Sequence, residues 1–110
     1  MATGTFSPIA VVSLTELTNA FVALKTVTET NGVLLRQIVA NNRDSGPQSF
    51  DITLDGATGA EDQRLYRNVE VAANDTLILP VHDFIANGTV IGIKADANST
   101  INILISGIEL

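Results

Sequence analysis

Ile101-Asn102-Ile103-Leu104-Ile105-Ser106-Gly107-Ile108-Glu109-Leu110 closes the chain as a strand. Working back from it, short apolar runs alternate with Asn/Gly/Asp turns as far as Arg64. Leu65 to Val71, Thr76 to Leu79 and Thr89 to Ala95 are the runs, and Asn74-Asp75 and Asn87-Gly88 mark two of the corners. These turn residues bend the chain at low cost, so this half reads as a stack of β-hairpins.

The same grammar extends upstream. Asn31-Gly32 reaches a positive φ cheaply and leads into Val33-Leu34-Leu35-Arg36-Gln37-Ile38-Val39-Ala40, which ends in Asn41-Asn42. Asn42 to Pro47 is a loop. Phe50-Asp51-Ile52-Thr53-Leu54-Asp55 then keeps a strict period of two, the mark of a half-buried strand. Gly56 to Asp62 is small, acidic and loop-like. Between Thr18 and Thr28 the Thr and β-branched residues favour a strand over a helix. Ser13-Leu14-Thr15-Glu16 nevertheless imitates a capping box, which leaves room for one helical turn within Leu14 to Leu24, and Asp83 to Ala86 suits another. The total is seven or eight strands at the spacing of a sandwich or barrel. Helical crossovers of 10 to 15 residues are missing, so the sheets should be antiparallel. The fold expected is an all-β, jelly-roll-like antiparallel β-sandwich.

Residues 1–14 stand apart from residues 15–110, which form the sandwich domain. Pro8 suits an extended N-terminal arm or an edge strand better than a central strand, and both readings stay open.

Composition narrows the function classes. One domain of 110 residues can bury a core without staples. Only 16% of residues are charged and 45% are hydrophobic, against a usual charged share of about 25%, which leans toward a chain that buries surface in a partner. Twelve acidic against six basic residues, a net charge of -6, oppose nucleic-acid binding. Cysteine is absent, so thiolate metal sites and disulfides are excluded. The start has no basic n-region, and no apolar run approaches the roughly 18 residues of a membrane span.

Chemistry-bearing patterns are thin. His82 before Asp83 invites a catalytic pairing, but sequence neighbours seldom converge in space and no nucleophile is indicated. Asp55, Glu61 and Asp62 crowd one loop without the spacing of a Ca²⁺ loop. Arg64 and Arg67 flank Tyr66, a weak basic-aromatic cluster on an acidic chain that reads better as a subunit contact. Three Asn-X-Thr triplets, at Asn74, Asn87 and Asn98, follow from Asn-rich turns before Thr-rich strands. The glycines form no nucleotide cradle. No catalytic residue, cofactor or metal is expected.

From about Thr18 to Leu110 the chain resembles the small β-sandwich virion proteins of tailed bacteriophages. The bearers are the strand ending Val39-Ala40-Asn41-Asn42, the run Leu65 to Leu77, and the terminal Ile105-Ser106-Gly107-Ile108-Glu109-Leu110. The front departs from the group's pattern, and Thr28-Glu29-Thr30-Asn31-Gly32 stands where a Pro-Ala-Gly turn is expected. The resemblance implies a capsid cement (decoration) protein on the phage head, made in the host cytoplasm. It would act as a homotrimer at local threefold positions and bind the major capsid protein and copies of itself, with neither nucleic acid nor membrane as partner. Phe6, Ile9, Val11 and Val12 are the side chains expected to be buried at that contact, which should exceed about 1,000 Å². The alternative is a tail, neck or receptor-binding fibre component touching glycans through the loops 42–48 and 56–63. Few aromatics are present to serve as sugar platforms. A cupin-like enzyme is disfavoured because one His cannot supply its ligands.

Overall fold

A computed structural model describes residues 7–54 and 64–110. Among them run eight strands: β1 (Ser7–Glu16), β2 (Val22–Thr26), β3 (Val33–Asn42), β4 (Gln48–Thr53), β5 (Arg64–Val71), β6 (Thr76–Ile85), β7 (Val90–Ala95) and β8 (Ile101–Glu109). They form two antiparallel four-stranded sheets, ordered β1-β8-β3-β6 and β2-β7-β4-β5. Apart from the β4–β5 pair, consecutive strands alternate between the sheets, which wraps the chain as a jelly-roll-like sandwich.

The period-two pattern builds the core between the sheets. Val33, Leu35, Ile38 and Ala40 of β3 and Ile101, Ile103 and Ile105 of β8 are fully buried, facing Phe50 and Ile52 of β4 and Ile91 and Ile93 of β7. Each such large side chain contributes about 1.5–3 kcal/mol relative to exposure.

Of the two readings left open for the N-terminal segment, the edge strand rather than the extended arm is found from Ser7 onward: β1 pairs with β8 from Ser7↔Glu109 to Glu16↔Asn102 and is the edge of its sheet. The division placed between residues 14 and 15 therefore falls inside one strand, and Pro8 sits where a missing N–H is tolerated. No helical turn forms within Leu14 to Leu24, because the backbone there is taken up by the corner between β7 and β8. Leu17 N donates to Ile101 O, Ser99 N to Leu17 O and Ala95 N to Thr18 O, at 2.8–3.1 Å. Nor does Asp83 to Ala86 turn helical. β6 runs on through Pro80 to Ile85, pairing Phe84 with Leu34 and Ile85 with Val33. Proline survives mid-strand because β6 is an edge strand and Pro80 borders a bulge between the Gln37↔Pro80 and Leu35↔Asp83 pairs.

Two turns depend on glycine. Gly32 (φ +82°) ends the Glu29–Gly32 turn, closed by Gly32 N donating to Glu29 O at 3.0 Å, and a Cβ there would lie 2.6 Å from Ile85 O. Gly88 (φ +91°) occupies the turn closed by Thr89 N and Ala86 O. The β3–β4 loop is pinned by buried Asn42. Its Nδ2 donates to Gly46 O (2.9 Å), Val71 O (3.1 Å) and Ala72 O (3.3 Å), while its Oδ1 accepts from Asp44 N (2.9 Å).

Candidate docking surface

An antiparallel sheet with one wet face should alternate apolar-in and polar-out, whereas strands covered on both faces read as nearly continuous apolar runs. β3, beginning Val33-Leu34-Leu35, and β6, Thr76-Leu77-Ile78-Leu79-Pro80-Val81, are of the second kind. Their outward residues meet in register across the β1-β8-β3-β6 sheet. One row is Ile78, Val39 and Leu104, joined by the pairs Val39↔Ile78 and Val39↔Leu104. The other is Phe84, Leu34, Ile108 and Pro8, joined by Leu34↔Phe84, Leu34↔Ile108 and Pro8↔Ile108. Ile78 and Phe84 are 61% and 59% exposed. Leu14, 70% exposed, lies in the irregular stretch of β1 opposite Leu104. Large apolar residues gathered on one exposed face mark a contact surface far better than scattered ones do.

A polar waist separates the rows. Register shifts give β3 an extra residue against β8 between Leu35 and Gln37 and give β6 one against β3 between Pro80 and Asp83, and the same line crosses the sheet at Val11 of β1. The bulge in β3 turns both Arg36 and Gln37 toward the outer face. Arg36 is exposed and forms no ion pair among the described residues, unlike Lys25, paired with Glu29, and Arg43, paired with Glu16. Beside it an open depression of about 430 Å³ is lined by Pro8, Ala10, Ser106 and Ile108, among others.

The residues singled out by sequence are dispersed. Val11 and Val12 are 4% and 3% exposed within the chain's own core, both turned inward by the bulge in β1, and Ile9 packs against that core. Val11 and Val12 are not available to a partner while β1 is in place, because β8 and the opposing sheet already cover them, whereas half-buried Ile9 also lines the open depression beside Arg36. Phe6 lies outside the described residues, as do Asp55, Glu61 and Asp62 and the side chain of Arg64. His82 is exposed on the outer face, while Asp83, next in the strand, points the other way. Asp83 accepts a 2.5 Å hydrogen bond from Tyr66 Oη, bridging β5 and β6 at the open edge of the sandwich. Burial, then the hydrogen bond and charge of Asp83, push the Tyr66 phenol well above the usual tyrosine range. Tyr66 is thus a sandwich clasp rather than a stacking platform. Asn87 and Asn98 are likewise engaged, Asn87 Nδ2 donating to Glu29 O and Asn98 Oδ1 accepting from Asn19 N. Among the described residues no group of three His, Asp or Glu side chains is placed to hold a metal ion, and no helix is long and apolar enough to cross a membrane.

The two outward rows were the signal missed in the sequence, although the unbroken apolar run at Val33-Leu34-Leu35 carried it. No protein-family model matches the chain, and no curated protein matches it in sequence.

Proposed function

We propose that this chain is a structural component of a tailed-phage particle, a cement protein that stabilises the head by protein–protein contacts. The observation that carries this reading is the outer face of the β1-β8-β3-β6 sheet, apolar along two registered rows and exposed in the isolated chain. A low share of charged residues and the resemblance to small virion sandwiches support the same reading. The contact surface differs from the one expected of an arm, since Val11 and Val12 belong to the core. Contacts between copies in a trimer would use the sheet edges: among the described residues β1, β6, β2 and β5 each pair with a strand on one side only.

The test is the copy number of the chain relative to the major capsid protein in purified source particles, by quantitative mass spectrometry. A ratio near one to one is expected of a cement. A few chains per particle would move it to neck, tail or fibre, and absence from particles would remove the reading.

A further inference from the structure

We infer that the outer face of the β1-β8-β3-β6 sheet docks onto a different protein, whose apolar surface presents a carboxylate to Arg36. The inference rests on the reading of the chain as a particle component and names the chemistry of its partner.

Size comes first. Four strands about 4.8 Å apart, each of nine or ten residues rising about 3.3 Å, make a face of roughly 600 Å². Covered by a partner, this removes roughly 1,200 Å² in total, within the range of specific, stable interfaces. The apolar rows through Val39 and Leu34 lie five residues apart along β3, roughly 16 Å. An occupant must therefore reach both rows and lie over the waist between them.

Charge then selects the occupant. Arg36 stands in that waist without an ion-pair partner among the described residues. A second copy of this chain stacked face to face would bring another Arg36 and another His82 to the waist, but no waist carboxylate. Asp83 turns away to Tyr66, and Glu16 is held by Arg43 at the far end of β1. Two cations would then be covered without compensation, which is strongly unfavourable. A carboxylate on a foreign surface instead pairs with the guanidinium through parallel hydrogen bonds. The chain carries a net charge of -6, which opposes a broadly acidic partner, so the complement that fits is an apolar surface with a carboxylate placed locally opposite Arg36.

The experiment uses source particles lacking this chain, prepared by gene deletion, and purified full-length chain added back, with bound fraction read by co-sedimentation. Wild type is expected to bind. Ile78→Lys combined with Phe84→Lys should weaken binding at least about 100-fold, the loss typical of central interface anchors. Arg36→Glu should weaken it more than Arg36→Gln, because reversal adds repulsion to the loss of the pair. Thr26→Lys, exposed on the other sheet, should bind as wild type, and melting curves should show all variants folded. If wild type binds and the face variants bind equally well, this inference is wrong while the particle reading stands. If wild type fails to bind, the particle reading fails and takes this inference with it. A dimer of the free chain in sedimentation velocity that Phe84→Lys dissolves would make a second copy the occupant and overturn the choice made here.

Discussion

Asn42 is 1% exposed and turns its amide toward three carbonyls at 2.9–3.3 Å, so replacing it with Leu removes polar partners while nearly conserving volume. The bond to Val71 O is buried, and leaving that oxygen unpaired costs about 1–3 kcal/mol. Gly46 O, Ala72 O and Asp44 N are partly buried, where water recovers most of the loss, adding about 1 kcal/mol together. Asn42→Leu should therefore cost about 2–4 kcal/mol out of a total near 6–16 kcal/mol for a chain of this length. In urea unfolding followed by circular dichroism, the midpoint should fall by about 1–2 M with the slope unchanged. Asn42→Asp sharpens the test, because it sets an acceptor oxygen against the same three carbonyls. At neutral pH it should cost more than Leu. It should recover as pH falls, since protonation restores a donor, and a carboxyl with a raised folded pKa stabilises only in its protonated form. A Leu variant within about 0.5 kcal/mol of wild type, or an Asp variant no worse than Leu at neutral pH, would refute the role given to Asn42.

Gly107→Ala should destabilise the fold by more than about 2 kcal/mol, because its Cβ would run into the Leu34 carbonyl oxygen with Val11 Cγ2 at 3.0 Å. Gly46→Ala, with nothing within 4 Å, should change stability by less than about 1 kcal/mol, and thermal melts of the pair separate the two sites. Tyr66, the sole tyrosine, should remain protonated past pH 10 in an ultraviolet difference titration. Its folded pKa lies above the unfolded value of about 10, so its contribution is complete below that pH and declines as pH rises beyond it. Tyr66→Phe should lose about 1 kcal/mol at neutral pH and flatten that alkaline decline. Ile78→Lys and Phe84→Lys should each leave the unfolding free energy within about 0.5 kcal/mol of wild type, since both side chains are already mostly in solvent.

Most strands were legible because period two is a local signal: Phe50 and Ile52 turn into the core as the alternation predicts, but β4 is not half buried as expected, since Asp51 and Thr53 on its other face are also buried, at 5% and 0% exposure. Asn31-Gly32 and Asn87-Gly88 were equally plain, since a positive φ has few alternatives to glycine. What escaped were properties of pairing rather than of sequence. Pro80 looks like a terminator until β6 is known to be an edge strand. Val11 and Val12 look like an arm's apolar tip until the bulge against Ser106 and Ile105 turns both inward. The outward rows could not be drawn at all from one strand. Val39 becomes part of a surface only when register sets Ile78 on one side of it and Leu104 on the other.

A cryo-electron microscopy reconstruction of the purified source particle is the most direct measurement. The expected map places the β1-β8-β3-β6 sheet flat against a capsid protein, with Ile78 and Phe84 covered and a carboxylate of that protein beside Arg36. A map in which this face looks into solvent, or in which no density fits the sandwich, would contradict the proposed role.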